Sequence, residues 1–391
     1  MKNFEYLDPK SHYLDSSCQT LRPIEVIEAQ DAYFKEYNAC GGRAKYKWGQ
    51  QVDAQVSECR EEVLGMLGLS TKEYFCAFTL NTTYGINLVL SQLKAGDFKN
   101  IVTSEIEHNS VFLPSISYAK KNNWSRKVLE RDDAGNLIYQ VGDLQQAVVV
   151  LNTSSNIDGR TLGNVSQLTA DTHEQGGIIL LDASQSMGHD YELLKGVKFD
   201  ALFTSAHKMY GTSMGVMIIR KDLLAHMEIS FLGGGMVEDT NLNDYSLISN
   251  NEELSSLLEP GLQNYSGIIA LNAAIKWRKT FQPEGQSQQE HSKKLSQMVF
   301  DSFKNNKDIV MLNQKPTDVF SIYTEKVDSH RLALFMSEQG LMARSGYFCC
   351  HYYLKNLKKY PPLLRVSLGL HNTEAELQEA LKIINQLISN S

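Results

Sequence analysis

The chain has 391 residues, enough for about two domains with a substantial buried core. Its 38 Lys and Arg residues against 45 Asp and Glu residues give a formal net charge of −7, so no general positive field would attract nucleic acid. The longest apolar runs are strand-sized, and the first ten residues lack the apolar segment of a secretory signal. We therefore expect a cytoplasmic globular protein with no membrane partner, no metal site and six reduced cysteines.

Short β-rich apolar runs alternate with stretches of helical period, which is typical of a mostly parallel sheet covered by helices. The predicted strands are Tyr74–Phe78, Asn100–Thr103, Ala147–Leu151, Ile178–Asp182, Ala201–Thr204 and Val216–Ile219. The predicted helices are Gln51–Leu67, Gly267–Trp277, Glu290–Phe303 and Glu374–Ile388. Between residues 232 and 258 a glycine triplet and clusters of Asn and Asp predict a long excursion, either a crossing between lobes or a contact with a partner.

Polar residues follow several of these strands, and the carboxyl ends of parallel strands form the edge where open α/β sheets bind ligands. Thr82 and Thr83 come shortly after the first strand, where a helix begins. Hydroxyls beside the free N–H groups of a helix start suit a bound phosphate. The alternative is that the two threonines only cap the helix.

Two charged residues stand at the same edge. Asp182 ends its strand, where a carboxylate can pair with a protonated heterocyclic nitrogen or merely cap the next turn. Lys208 follows the strand Ala201–Thr204, and Schiff-base formation would explain an ammonium in such a partly desolvated place. A solvated loop lysine is the alternative. Spacing alone does not identify which phosphate ligand would bind.

The joint pattern resembles the class V enzymes that depend on pyridoxal phosphate (PLP), and within that superfamily the cysteine desulfurases and selenocysteine lyases. The matching motifs are Thr82-Thr83-x-Gly85-Ile86-Asn87, Glu107-His108, Ser155-Asn156, Asp182-x-x-Gln185 and Ser205-x-His207-Lys208. Further agreement lies in Tyr13-Leu14-Asp15, Gly233-Gly234-Gly235-Met236, Arg344-Ser345-Gly346-x-x-Cys349 and Arg365-x-Ser367-Leu368. The resemblance runs from about Tyr13 to the C-terminus.

The resemblance implies the PLP-dependent transferase fold type I. A large PLP-binding domain would span residues 15–265 around a mostly parallel, seven-stranded sheet. Residues 1–14 and 266–391 would form a smaller α+β C-terminal domain. It also implies a homodimer.

The resemblance further implies a role for each site residue. Lys208 would hold PLP as a Schiff base, Asp182 would pair with the ring nitrogen, Gln185 would lie near the ring oxygen and His108 would stack on the ring. The phosphate would be held by Thr82, Thr83, Ser205 and His207. The substrate-binding residues would be Asn156, Arg365 and Arg344, the first two of which would receive the substrate carboxylate. The catalytic residues would be Lys208, His108 and Cys349.

Cys349 distinguishes a desulfurase from other enzymes of this superfamily. A desulfurase needs a thiolate that takes sulfur from PLP-bound cysteine as a persulfide, and Arg344 could favour that thiolate. The alternative is that Cys349 and Cys350 form a small apolar pair in a packed segment.

The sequence departs from the resembling desulfurases at several places, among them Cys350-His351-Tyr352 in place of an Ala-Gln-Pro stretch after the cysteine. Tyr347-Phe348 replaces a His pair before the cysteine, and Leu262 replaces a Thr that would reach the neighbouring subunit's cofactor phosphate. Asn81 stands where Gly is usual, and residues 16–19 read Ser-Ser-Cys-Gln where Asn-Ala-Ala-Thr is expected.

Three functions follow from this pattern. The first is a desulfurase-like PLP enzyme that converts L-cysteine to L-alanine and passes sulfur to an acceptor protein. The second is a class V PLP lyase, epimerase or aminotransferase that acts on another amino acid without a persulfide. The third is a catalytically reduced scaffold that binds a partner, against which the retained Lys208 and Asp182 argue.

Overall fold

The computed structural model describes residues 2–42, 44–248 and 254–391. The helices in these ranges are α1 Ile24–Glu36, α2 Lys47–Met66, α3 Thr82–Gln92, α4 Asn109–Asn122, α5 Val165–Glu174, α6 Leu254–Leu258, α7 Tyr265–Thr280, α8 Gln288–Lys304, α9 Ser329–Glu338 and α10 Glu374–Ser389. The strands are β1 His12–Tyr13, β2 Tyr74–Thr79, β3 Asn100–Ser104, β4 Ser125–Leu129, β5 Ala147–Asn152, β6 Ile178–Asp182, β7 Ala201–Ser205, β8 Gly215–Arg220, β9 Val237–Thr240, β10 Tyr245–Leu247, β11 Val310–Met311, β12 Val319–Tyr323, β13 Leu341–Met342, β14 Arg344–Gly346 and β15 Leu363–Ser367. No helix of this described part is both long and apolar enough to cross a membrane.

A seven-stranded sheet in the order β2-β8-β7-β6-β5-β3-β4 forms the centre of the molecule. Strands β3 to β7 run parallel, whereas β8 runs antiparallel to both of its neighbours, so that β2 again points the same way as β7. The predicted mostly parallel sheet is therefore confirmed, and the carboxyl ends of six strands meet at one edge. Each of the six predicted strands is present, extended by at most one residue at either end.

The sheet is buried on both faces because its central strands β5, β6 and β7 are apolar up to the polar residues at their carboxyl ends. Val148 and Val150 of β5 face one core layer, with α3 and α4, while Val149 and Leu151 face the other, with α2 and α5. This alternation follows from the two-residue period of a strand. β4 is partly exposed and carries Arg126 and Lys127, so the hydrophobic pattern alone did not predict it.

A second, antiparallel sheet in the order β11-β12-β15-β14 packs with α8, α9 and α10 around a separate core. β1 pairs with β13, and Leu14 enters this second core. Helix α7 places Ile268, Leu271 and Ile275 in the core of the large sheet. The domain limits at residues 14/15 and 265/266 stay a prediction.

The excursion predicted between residues 232 and 258 contains a hairpin that the sequence did not predict. β9 and β10 pair antiparallel around a turn in which Asn241 Oδ1 accepts from the N–H groups of Asn243 and Asp244, each at 3.0 Å. The hairpin is largely exposed. Residues 249–253 of the predicted excursion lie outside the described residues.

We expect His371 to make the free energy of unfolding depend on pH. Burial lowers its pKa to about 4, although Nε2–H donates to the carbonyl oxygen of Tyr13 at 3.0 Å. The unfolded chain, with a histidine pKa near 6.5, binds more protons between these values, so stability is lost as pH falls from about 6.5 to 4, by roughly 2–3 kcal/mol. In urea titrations, His371→Asn should make this dependence less steep, and the exposed His330→Asn should leave it unchanged. Equal slopes for wild type and His371→Asn would contradict the assignment.

Candidate active site

A cavity of about 260 Å³ opens at the carboxyl edge of the large sheet. Every residue that the sequence singled out for the site lines it, namely Thr82, Thr83, His108, Asn156, Asp182, Gln185, Ser205, His207, Lys208, Arg344, Cys349 and Arg365. The large sheet and the loops after its strands supply most of them, whereas Arg344, Cys349 and Arg365 come from the second sheet and its loops. The roles of these residues stay predictions.

In the turn from β2 into α3, the hydroxyl of Thr82 does not cap the helix. Asn81 caps the helix, since its Oδ1 accepts from the N–H of Tyr84 at 2.8 Å, and its extended backbone needs no glycine. Thr82 Oγ1 lies 2.6 Å from Ser205 Oγ and accepts from Ser184 Oγ at 3.2 Å. The three hydroxyls thus gather beside a helix N-terminus, where the first N–H groups have no intrahelical acceptor. This arrangement suits a phosphate.

Gly215 allows this turn to lie close to β8. A Cβ atom at residue 215 would lie 2.3 Å from Thr79 Oγ1 and 2.4 Å from the backbone carbon of Asn81. A side chain there would therefore displace the turn at Asn81.

Asp182 ends β6, and Lys208 follows the neighbouring strand β7 by three residues. Burial lowers the pKa of Lys208, and the charge of Asp182 opposes that shift. A lowered pKa increases the fraction of neutral amine, which is the nucleophile that forms a Schiff base. Asp182 is 6% exposed and accepts from the N–H of Ser184 at 3.0 Å.

Two histidines near Lys208 are neutral at physiological pH. Burial, and then the charge of Lys208, lower the pKa of His108 and of His207 to about 4. The N–H of Ser110 donates to His108 Nδ1 at 3.1 Å, which assigns the ring proton of His108 to Nε2. An uncharged ring can lie flat against an aromatic ligand without the cost of burying a charge.

The N-terminal segment supplies site residues that the sequence analysis gave no role. Ser17 binds both ends of the Gln185 amide: its Oγ donates to Oε1 at 3.1 Å and its carbonyl accepts from Nε2 at 3.0 Å. Asp15 bridges the two arginines, with Oδ1 3.1 Å from Arg365 Nη2 and Oδ2 2.9 Å from Arg344 Nε. The motif Tyr13-Leu14-Asp15 and the altered stretch after it were the available signals.

Arg365 is oriented for an anionic ligand. Its Nη1 donates to the carbonyl of Asn156 at 3.1 Å, its guanidinium lies 4.7 Å from the ring centroid of Phe348, and the residue is 3% exposed. Among the residues that the structure describes, its Nε has no acceptor, and Asn156 Oδ1 has no donor. Buried polar atoms that line a cavity without partners indicate a missing polar ligand.

The cysteine loop separates its two thiols. Cys349 is exposed to the cavity side, while Cys350 is buried, with Sγ 3.5 and 3.4 Å from the carbonyl oxygens of Ile106 and Glu107. Burial raises the pKa of Cys350 well above its usual range. Phe348 and Cys349 both have positive φ angles, of 46° and 57°, a conformation that costs energy for residues other than glycine. The apolar-pair alternative therefore applies to Cys350 only.

These features fit PLP as a cofactor. A buried amine of lowered pKa, an adjacent carboxylate, a hydroxyl cluster at a helix N-terminus and unpartnered polar atoms match the aldehyde, ring nitrogen and phosphate of that molecule. The donor set contains His207, whose Nδ1 is buried without a partner among the described residues.

Comparisons with known proteins agree with this interpretation. The profile of the aminotransferase class-V family matches residues 12–380, so the chain belongs to that family. It is a PLP-dependent enzyme with the fold type I architecture, which confirms the predicted fold and cofactor.

Within the family, the chain is similar to cysteine desulfurases. A probable cysteine desulfurase of Pyrococcus abyssi is 30% identical, with 97% of this chain and 94% of that protein aligned. The apo structure of a cysteine desulfurase from Thermococcus onnurineus is 27% identical with a TM-score of 0.85, covering 98% of this chain and 96% of that one. A cysteine desulfurase structure from Escherichia coli, 22% identical, has a TM-score of 0.86 over 99% of this chain and 97% of that one, which shows the shared fold.

Proposed function

We propose that this protein is a cysteine desulfurase, which converts L-cysteine to L-alanine and receives the sulfur on Cys349 as a persulfide. The observation that carries the proposal is the exposed Cys349 thiol, held on a strained loop at the cavity that contains Lys208. The overall reaction balances: L-cysteine and the Cys349 thiol give L-alanine and a Cys349 persulfide. Sulfur leaves carbon as the thiol is oxidised, and a proton replaces it on carbon.

Lys208, Asp182, His108 and the hydroxyl cluster would hold PLP. When bound, PLP supplies an electron sink for charge that develops on the substrate's α-carbon. The Lys208 amine can then move a proton to and from that carbon, because burial lowers its pKa towards the working pH.

Arg365 and Asn156 are the residues proposed to bind the substrate carboxylate. Asp15 holds Arg365 and Arg344 without neutralising both, since one carboxylate is shared by two guanidinium groups. The guanidinium of Arg365, whose Nε has no acceptor among the described residues, and the Nδ2 group of Asn156, which has a second N–H besides the one that donates to the carbonyl of Phe348, would receive the carboxylate. This selects an α-amino acid over a simple amine.

Product analysis tests the proposal. The purified protein with PLP should form alanine from L-cysteine, and sulfide when a thiol reductant is present. L-Serine, which has the same carboxylate and amine but no sulfur, is the matched control and should yield no alanine. Pyruvate, racemised cysteine or transaminated product in place of alanine would establish the lyase, epimerase or aminotransferase function instead.

Asp182→Asn is expected to lower kcat by about 100-fold or more, because an uncharged pyridine ring is a weaker electron sink. The substitution keeps the shape of the side chain, so cofactor occupancy should fall much less than turnover. Absorbance of bound PLP and alanine formation measure the two effects in the same sample. Full occupancy with nearly normal turnover would show that Asp182 does not pair with the ring nitrogen.

We further propose a homodimer whose interface includes the surface around Leu262. Glu259 fixes this segment, since both its oxygens accept from Arg60, at 2.6 and 2.7 Å, and one accepts from the N–H of Phe78. Leu262 nevertheless remains 76% exposed, and Phe231 and Leu232 on the preceding loop are also exposed. Clustered exposed apolar residues mark an interaction surface.

Sedimentation tests the dimer at micromolar concentration. Wild type should sediment as a dimer, and Leu262→Glu should shift it towards monomer. Leu334→Glu, on the exposed surface of α9, is the control and should remain dimeric. A monomeric wild type would refute this assembly.

Two further proposals concern the setting of the reaction. A sulfur-acceptor protein would approach Cys349, the exposed thiol of the loop. A cytosolic location is supported by the six cysteines, all of which are free.

A further inference from the structure

We propose that Cys18 is a second reactive thiol of the site, which attacks the Cys349 persulfide, forms a Cys18–Cys349 disulfide and releases hydrosulfide when no acceptor protein is present. The inference rests on the proposed desulfurase function.

Cys18 shares the cavity with the first thiol. Cys18 and Cys349 both line it, together with Lys208, Arg344 and Arg365. Cys18 is partly exposed and is not in a disulfide. Its thiol is thus accessible from the space in which a persulfide on Cys349 would stand.

Short contacts tie the turn that carries Cys18 to the strand that precedes the Cys349 loop. The N–H of Cys18 donates to the carbonyl of Asp15 at 3.0 Å, and the Asp15 carboxylate binds Arg344 at 2.9 Å. Arg344 begins β14, and Cys349 follows that strand by three residues. On its other side the turn is held to the large sheet, since the N–H of Thr20 donates to the carbonyl of His207 at 2.9 Å.

The cavity that holds both thiols is lined by basic residues. Burial lowers the pKa of Arg365, and the charges of Asp15 and of a Cys18 thiolate oppose this effect, so Cys18 lies within the field of that guanidinium. Arg365 is 3% exposed, and its Nε has no acceptor among the described residues. Two arginines and a lysine at one cavity would stabilise the negative charge of a leaving hydrosulfide.

Cys350 does not meet these conditions although it is next to Cys349 in sequence. It is 1% exposed, burial raises its pKa well above the usual range, and its sulfur contacts two backbone carbonyls. The structure therefore favours a thiol 331 positions away in sequence over the adjacent one.

The step needs no external oxidant. The Cys18 thiolate attacks the sulfur bonded to Cys349 Cβ, the new S–S bond joins the two side chains, and the outer sulfur leaves with the electron pair as hydrosulfide. Two thiols are oxidised to a disulfide as the sulfane sulfur is reduced to sulfide. A dithiol reductant returns the enzyme to its starting state.

The test uses the PLP-loaded enzyme and peptide mass spectrometry after alkylation. With one equivalent of L-cysteine per chain and no other thiol, wild type should give a cross-link between the peptides of Cys18 and Cys349. It should release about one sulfide per chain, as one disulfide forms for each hydrosulfide that leaves. Cys18→Ser should instead retain a persulfide on Cys349 and release little sulfide. Cys40→Ser, at an exposed position outside the cavity, should behave like wild type.

A second arm separates this inference from the proposed function. Inorganic polysulfide loads thiols with sulfane sulfur without any turnover of L-cysteine. The same cross-link in wild type, and its absence in Cys18→Ser, would support the inference whether or not L-cysteine gives alanine. A lack of alanine would refute only the proposed desulfurase function. A stable Cys349 persulfide in wild type, or sulfane sulfur that moves to Cys18 without a cross-link, would overturn the inference.

Discussion

Replacing Lys208 by Ala is expected to abolish the covalent attachment of PLP and to lower turnover of L-cysteine by roughly 10²–10⁴-fold from lost proton transfer alone. The wild-type protein should be yellow, and the variant should lose that absorbance or shift it to that of cofactor held without a covalent bond. The physical reason is that burial lowers the pKa of the Lys208 amine. The neutral amine, which is the nucleophile, then lies in the cavity that Asp182 also lines.

Lys208→Arg is the matched control for charge. It keeps a cation at the cavity floor but has no amine that can form a Schiff base, so it should resemble Lys208→Ala in its spectrum. Thermal unfolding of the three proteins without PLP checks that the fold is intact. A wild-type protein that stays colourless after PLP is added would refute the role of Lys208 and the cofactor site as described.

Cys349→Ser should lower alanine formation from L-cysteine by about 100-fold or more, because a hydroxyl is a poor nucleophile towards sulfur. Lys208 and Arg365 are untouched, so the variant should still bind L-cysteine and change the cofactor spectrum. Measuring both the spectrum and alanine separates loss of sulfur transfer from loss of binding.

Cys350→Ser is the control at the adjacent position. Its sulfur contacts two carbonyl oxygens away from solvent, and a serine hydroxyl can donate to the same acceptors. Alanine formation should therefore change little. If Cys350→Ser abolished activity and Cys349→Ser did not, the two roles would be exchanged; if neither mattered, the persulfide route would be wrong. Both variants need the same reductant, because adjacent thiols can exchange disulfides.

Local sequence patterns predicted the parts of the site that lie at strand ends. Asp182 and Lys208 could be located because a buried parallel strand is a short apolar run, and its carboxyl end lies on the ligand-binding edge. The helix start at Thr82 was predicted for the same reason. The capping function of Asn81 was not predicted, and it frees the hydroxyl of Thr82 to contact Ser205 and Ser184.

Contacts between distant segments could not be predicted from such local patterns. Asp15 reaches Arg365 across 350 positions because β1 pairs with β13 and Asp15 itself forms a bridge with Ser367. The hydrogen bonds between Ser17 and Gln185 depend on that same docking of the N-terminal segment between the two sheets. No periodicity within either segment encodes the distance between them.

The sequence by itself determined the class of fold, the strand ends that carry chemistry and, through the motif order, the PLP family. Hydrophobic period and turn residues suffice for the fold class and the strand ends because these features are local. The PLP family was predicted from the resemblance of the motifs. Only the tertiary structure decided the reversed direction of β8, the exposure of Cys349 against the burial of Cys350, and the entry of Cys18 and Asp15 into the site. Two neighbouring cysteines are equivalent in a linear pattern, and the packing of the Cys350 side chain against the backbone at Ile106 and Glu107 makes them different.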